Sequence, residues 1–468
     1  MIHYMTSEGL GSPWVGNELR IVTRAGIPVM LHCMRTPAKI HFDADWAKQM
    51  QASATALYPI NPIAITLASL AAPFVFGTKW LTALLNALFG ERENLRARLA
   101  CLAHFFVACQ WALALRKNRS KQPVSHIHAQ WAFSSASIAM YGAWLLGVPF
   151  SFTGHAVDLT RQRVALRDKI KRAKFIIAIS EWHKQFYIDE DKSNGQATPN
   201  LANKIHVAYC GIYTDEMVPP SEQQRALKRT HPFTILSAGR LIGKKGFPHV
   251  INACKILKDR GWMTKTAPGK QTPGICCVIA GSGPDEGMLR RMIEDLDLGD
   301  VVHMTCKALQ QEKIPEFMHD GDLFTLACVW ASDGDVDGLP QLTMEAMGCG
   351  LPAITTRLVG NPDLVVHERT GLLVSADDDK VARELADAIE RLMNDPALRE
   401  RLATQGRAFI FEKFDITKSL EPLINQYRIA LGQRPNANHN SHSSTEPRIA
   451  TKSYESKRET TATSGVGT

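Results

Sequence analysis

Gly239-Arg240-Leu241-Ile242-Gly243-Lys244-Lys245-Gly246 follows an apolar run at 234–238. Cations at a strand end, beside glycines that let backbone come close, can clamp a diphosphate; the same residues also make a solvated basic turn. Further on, Asp333-Gly334-Asp335-Val336-Asp337-Gly338-Leu339-Pro340 leads into Gln341-Leu342-Thr343-Met344-Glu345. Gly338 and Leu339 would offer free amides at a helix N-terminus, a place that attracts anions. Glu345 falls about one turn into that helix, where a carboxylate can accept hydrogen bonds from two ribose hydroxyls. The alternating carboxylates at 333, 335 and 337 could instead hold a hard cation, but the stretch lacks the glycine and distal glutamate of a calcium loop.

His155, in Thr153-Gly154-His155-Ala156-Val157-Asp158, stands just past an apolar run. It can donate to a sugar hydroxyl or a phosphate, or serve only the core. The opening Ser7-Glu8-Gly9-Leu10-Gly11-Ser12-Pro13 is a glycine loop after a short apolar run, and as a lone Gly-x-Gly it can equally be a tight turn. His126-Ile127-His128 puts two histidines on one face of a strand, and we read them as structural. The ten cysteines show no C-x-x-C spacing and mostly sit in apolar runs, so they read as small core residues of a reducing compartment.

The elements that must position these residues alternate. Residues 2–5 read as a strand, 17–25 as a helix closed by Gly26, and 27–31 as the next strand, a βαβ seed. Residues 61–116 read as successive helices, followed by strands at 124–128, 149–153, 175–179 and 204–208. A second alternating series has strands at 234–238, 276–280, 301–304, 323–327 and 352–355. The pattern predicts an α/β protein with two Rossmann-like, doubly wound domains facing a cleft. The expected divisions are an N-terminal domain at 1–212, a linker at 213–231, a C-terminal Rossmann-like domain at 232–432 whose last helix crosses back, and a disordered tail at 433–468.

At 468 residues with 45% hydrophobic composition, the chain can bury two cores. A net charge of +8 suits nucleic acid, anionic lipid or a phosphate-bearing substrate. The basic residues are scattered rather than interleaved with aromatics, which argues against nucleic acid. The first residues lack the basic and apolar regions of a signal peptide. The apolar stretch at 63–90 is interrupted by Pro73, Gly77, Lys79 and Asn86, so helices packed on the domain or lying on an anionic membrane surface fit better than a span.

Taken in order, His126-Ile127-His128-Ala129-Gln130-Trp131, Ser151-Phe152-Thr153-Gly154-His155-Ala156, Ala178-Ile179-Ser180-Glu181, the 237–246 stretch, Ala280-Gly281-Ser282-Gly283-Pro284 and 337–355 resemble retaining GT-B glycosyltransferases of family 4, exopolysaccharide and colanic-acid type. The resemblance covers nearly the whole chain up to about 430. It implies transfer of a sugar from a nucleotide diphosphate donor to a glycan or lipid-linked glycan, with retention and without a metal or other cofactor. It assigns Arg240 and Lys245 to the diphosphate, Glu345 to the ribose, and Asp337 and His155 to the donor sugar. It gives Gly338 and Leu339 an amide role, and places Gly281 and the loop Gly9-Leu10-Gly11 beside the donor. It implies a cytoplasmic enzyme, with contact to the inner face of the membrane as one reading of the apolar helices. A nucleotide-sugar epimerase and a non-catalytic scaffold are the alternatives on the same fold.

Overall fold

The computed structural model describes residues 1–435 except 41, 43, 194–197, 223, 225–231, 263, 264, 268, 269 and 273. The expected tail from 433 lies, beyond residue 435, outside the described residues, as does much of the expected linker.

The first sheet has seven parallel strands in the order β3-β2-β1-β4-β5-β6-β7. They are β1 Ile2–Thr6, β2 Val29–Cys33, β3 Thr55–Ala56, β4 His126–Gln130, β5 Phe150–Gly154, β6 Phe175–Ala178 and β7 Ile205–Val207. Helices cover such a sheet on both faces, and its central strands β1, β4 and β5 are buried throughout. Five helices of this half matter below: α1 Pro13–Arg24, α2 Asp45–Ser53, α3 Pro62–Phe76, α4 Thr78–Phe89 and α5 Leu95–Lys117. The last three fill the long crossover from β3 to β4. Asn61 and Asn94 cap α3 and α5 through their side chains, which explains why each helix starts where it does.

Burying polar strand residues requires partners, and β4 shows how they are found. His126 and His128 share Ser151 Oγ of β5, at 2.6 and 2.8 Å, and His128 Nε2 lies 3.1 Å from Thr153 Oγ1. Phe175 stacks on His126 with ring centroids 5.1 Å apart. On the other side of the sheet centre, His3 and His32 contact at 2.9 Å, and Trp111 of α5 donates to His32. The pair on β4 is therefore structural.

The second sheet has six parallel strands in the order β12-β11-β8-β13-β14-β15. They are β8 Phe233–Ala238, β11 Ile275–Ala280, β12 Val302–Met304, β13 Leu323–Leu326, β14 Ala353–Thr356 and β15 Leu372–Val374; β9 Lys265–Ala267 and β10 Lys270–Thr272 form a separate antiparallel pair. Strand ends sit one or two residues from their expected places in several strands. β3, β15 and the β9–β10 pair were not expected, because two- and three-residue strands carry too little alternation to be seen.

The chain passes between the sheets twice, at one place. Ile212 N–H donates to Phe414 O (3.0 Å), and Ile416 N–H donates to Ile212 O (2.9 Å). A Cβ on Gly211 would meet Phe414 O at 2.5 Å, so only glycine permits this approach. After the second passage the helix Glu421–Ala430 lies on the first half, where Leu423, Ile424 and Tyr427 share a core with Ile2, Tyr4 and Leu19.

Burial sets the acid stability of this fold. It pushes His32 and His126 down to about 3, and His3 and His104 down to about 4. His155 and His183 are lowered to about 3, and His128 is lowered as well. Unfolded histidines titrate near 6.5, so between these values the unfolded chain binds more protons and stability rises with pH. Burial raises Glu18 and Glu345 to about 7, and Asp158 and Asp363 to about 6. Raised carboxyls act in the opposite sense, but the seven histidines outnumber them. Urea midpoints should therefore climb from about pH 5 to about pH 7. An equal or higher midpoint at the acid end would contradict the burial of neutral imidazoles.

Candidate functional site

The loops at the carboxyl ends of both sheets face a cavity of about 810 Å³. Its second-half wall is built by close contact between two strand-end loops. Gly239 N–H donates to Ala280 O and Leu241 N–H to Ser282 O, both at 3.0 Å. A Cβ on Gly281 would lie 1.8 Å from Gly239 O, and one on Gly283 would lie 2.3 Å from Leu241 O. Gly281 thus serves first to let these loops zip together. Gly246, with φ +67°, has the same role against Ala327 O.

Arg240, Lys244 and Lys245 line the cavity from the first of these loops. Arg240 is exposed. The two lysines are engaged by the loop that precedes the helix Gln341–Gly348. Lys244 lies 3.2 Å from an Asp335 oxygen, and Lys245 donates to Asp337 Oδ2. Arg161, from the first half, reaches Asp333 at 2.9 Å. The three alternating carboxylates are therefore spread over three cations rather than converging on one centre. Burial disfavours charge on Lys245 and Asp337, but each partner outweighs it, raising the lysine and lowering the carboxyl. The residues expected at the diphosphate and at the sugar are thus paired with each other.

Gly338, Leu339 and Glu345 also line the cavity. Pro340 precedes the helix Gln341–Gly348 and supplies no side-chain cap, so first-turn N–H groups remain for a ligand. Gly338 O accepts from Gly360 N–H (3.1 Å), and a Cβ at 338 would press on Ile179 and His183 of the first half. Glu345 is buried and accepts from Gln311 Nε2 at 2.7 Å. Burial raises its carboxyl to about 7, the Gln311 hydrogen bond moderating the rise and Glu216 adding to it.

His155 forms the first-half wall with Trp14 and Trp131, whose ring centroids lie 4.3 and 4.6 Å from the imidazole. Trp131 has φ +71°, a left-handed conformation that costs a bulky residue of order 1–3 kcal/mol. Two buried charges hold it. Asp158 accepts from Ala132 N–H at 2.6 Å and from His155 N–H at 3.0 Å. Lys169 Nζ donates to the carbonyls of Ala132 (2.6 Å) and Phe133 (2.9 Å).

Behind His155 runs a buried chain. Its Nε2 lies 2.8 Å from Gln130 Oε1, Gln130 Nε2 donates to both Glu18 oxygens (2.9 and 2.8 Å), and the Tyr4 hydroxyl donates to Glu18 Oε1 (2.5 Å). With its amide nitrogen on a carboxylate, Gln130 turns an oxygen to the imidazole, so Nε2 carries the proton and Nδ1 keeps its lone pair.

The structure brings eight expected residues to one cavity: His155, Arg240, Lys245, Gly281, Asp337, Gly338, Leu339 and Glu345. Gly9 and Gly11 are not among its lining residues. Gly9 N–H donates to Thr6 Oγ1 (2.6 Å), Leu10 N–H to Gln51 Oε1 (2.9 Å), and a Cβ on Gly11 would meet Pro37. These contacts turn the loop toward α2, and the cavity receives Trp14 of α1 instead. Sequence reading missed Trp14, Trp131, Gln311 and Glu18. Trp131 ends the quoted 126–131 motif and was the one visible signal among them.

Residues 220–409 match the family described as glycosyl transferases group 1. The chain is 33% identical over 214 residues to the amylovoran biosynthesis glycosyltransferase AmsK of Erwinia amylovora, covering 46% of this chain and 48% of that protein. It is 35% identical over 192 residues to the putative colanic acid biosynthesis glycosyltransferase WcaL of Escherichia coli (strain K12), covering 41% and 43%. The match thus spans about half the length of these curated relatives. Among solved structures, Anabaena Alr3699/HepE in complex with UDP has a TM-score of 0.60 at 16% identity, covering 92% of this chain and 98% of that one. Sucrose-phosphate synthase from Thermosynechococcus elongatus has a TM-score of 0.62 at 16% identity, covering 92% and 99%. At these identities the likeness is one of fold, the two-sheet GT-B architecture.

The buried chain behind His155 gives a spectroscopic expectation. In nitrogen-15 NMR of the imidazoles, assigned by comparison with His155→Gln, His155 should be the neutral Nε2–H tautomer at neutral pH and remain so to about pH 5. An Nδ1–H tautomer, or titration near 6.5, would break the link to Gln130 and Glu18.

Proposed function

On the premise that residues 220–409 match the group 1 glycosyl transferases on a GT-B fold, we propose that this chain transfers a sugar from a nucleotide diphosphate donor to a glycan or lipid-linked glycan in exopolysaccharide or lipopolysaccharide synthesis. The observation that carries this reading is the convergence of Arg240, Lys244, Lys245, the uncapped start of the helix Gln341–Gly348, and buried Glu345 on one cavity. The spacing suits a nucleoside diphosphate: cations and amides for the phosphates, a carboxylate for the ribose.

In this reading the diphosphate takes Lys245 from Asp337, and Asp337 is released to the donor sugar's hydroxyls. Arg240, Lys245 and the helix N-terminus stabilise the departing diphosphate, a task that a divalent cation performs elsewhere, so no metal is required. His155 and the two tryptophans bound the side from which the acceptor approaches. Retention of configuration belongs to the same reading, by attack on the face the diphosphate leaves. The reading places the chain on the cytoplasmic side, with an acceptor held at an anionic membrane surface.

Removing one charge-stabilising donor typically costs ~10²–10³ in rate. Lys245→Ala and Glu345→Ala should therefore each lose most transfer activity while unfolding at the parent temperature. Near-normal turnover by folded Lys245→Ala would overturn the assignment. Binding without turnover would favour a scaffold, and release of free nucleotide diphosphate without an acceptor would favour an epimerase.

Glu345 adds a pH dependence. A carboxyl raised to about 7 by burial must lose its proton to accept from both ribose hydroxyls. The thermal shift given by a nucleotide sugar should grow as pH rises through that value, and Glu345→Gln should flatten the profile. An unchanged profile in the variant would remove Glu345 from the ribose.

A further inference from the structure

The outer face of α3, α4 and α5 plays no part in the cleft. Ile63, Leu67, Leu70 and Phe74 are 72, 61, 65 and 92% exposed. Their spacing puts them in one stripe along α3, while Ala68, Ala72 and Phe76 bury the opposite side. Leu85 and Phe89 continue the exposed apolar surface on α4, and Leu95 and Leu99 on α5. Of the twelve large hydrophobic residues exposed among the described residues, nine lie on these three helices. Single exposed leucines are ordinary; a concentration of this kind marks a surface that something covers.

The surrounding charge identifies the cover. Residues 61–90 contain one charged side chain, Lys79. Cations border the stripe: Arg116 donates to Val75 O (3.0 Å) and lies 5.9 Å from the Phe76 ring, and Arg98 donates to Leu88 O. Arg96 is exposed between Leu95 and Leu99, Lys117 ends α5, and Arg119 and Lys121 follow it. The nearby acids are engaged by other groups of the protein. Glu91 pairs with Arg167, and Glu93 accepts from Ala165 and Leu166 N–H, both at 2.8 Å. An apolar stripe with a cationic border and its acids paired is complementary to anionic headgroups over acyl chains. Of these helices α5 alone is long and apolar enough to cross a bilayer, but half of that stretch is buried in the fold, so the face lies on a membrane rather than passing through one.

We propose that α3, α4 and the start of α5 form a docking face for an anionic lipid bilayer, with Leu70 and Phe74 entering the acyl boundary and the bordering arginines and lysines meeting the headgroups. This deepens the reading above, on which it rests for its acceptor at a membrane, by naming the surface that makes the contact.

Vesicle flotation of the full chain tests it, with phosphatidylcholine alone or mixed with phosphatidylglycerol, at low and high salt. The chain should float with the mixed vesicles at low salt. Leu70→Ser and Phe74→Ser should each weaken partition about tenfold or more. Lys117→Glu with Arg119→Glu should remove the preference for phosphatidylglycerol. Failure to float with the mixed vesicles, or equal flotation of Leu70→Ser/Phe74→Ser, overturns the proposal. So does a lipid-free dimer, seen by sedimentation, that Phe74→Ser dissociates, because the stripe then belongs to a second copy. The nucleotide-sugar thermal shift, read on the same preparations, separates the two readings. A normal shift without flotation removes the docking face alone; flotation without any shift removes the proposed function and leaves the docking face standing.

Discussion

The two passages of the chain between its sheets press against each other at Gly211. Ile212 exchanges backbone hydrogen bonds with Phe414 and Ile416, and Thr214 Oγ1 donates to Asp415 across the same junction. The cleft follows from this contact. Each sheet delivers its loops at the carboxyl ends of its strands, and a double connection at one spot brings those ends face to face. Contacts also cross the opening. Arg161 meets Asp333, Glu181 N–H donates to an Asp363 oxygen (2.6 Å), and Gly338 lies against His183. Ala156, Ile179 and Tyr209 of the first half share a core with Leu339 and Val359 of the second.

The electrostatics of the cavity are those of a site occupied by its own side chains. Three acidic residues of one loop engage three cations on both sides of the opening. Each ion pair sits in partial contact with water, so its worth to the fold is modest and a stronger, bidentate anion can displace the carboxylates. The opposite wall is rigid by comparison. Asp158 and Lys169 fix the residues that follow the strained Trp131, and Tyr4, Glu18 and Gln130 fix the imidazole of His155. One side of the cleft can exchange partners while the other keeps its shape.

What could be read in the sequence follows from where the determinants lie. The loops of the second half were legible because their glycines are forced: Gly246, Gly281 and Gly283 stand where a Cβ would strike backbone, and a local pattern records that. The alternation of strands and helices was legible for the same reason, since parallel strands buried on both faces leave unbroken apolar runs. The first-half wall was not. Glu18 and Gln130 meet across 112 residues, and Trp14 reaches Trp131 only once α1 has packed on the sheet. The glycines of the loop at 9–11 answer to Gln51 and Pro37, neighbours that no local pattern announces.

The return of the last helix has a consequence for how the chain is made. Leu423, Ile424 and Tyr427 complete a core begun by Ile2 and Tyr4, which are made long before them. The N-terminal half therefore waits, with that apolar face open, until the helix Glu421–Ala430 has been translated. The second half, between 232 and 413, contains its own sheet and core and can close earlier. Order of synthesis and order of completion are thus reversed: of the two halves, the one that emerges first is the last to be finished, and a nascent chain stalled before Leu420 would hold one closed domain and one unsealed one.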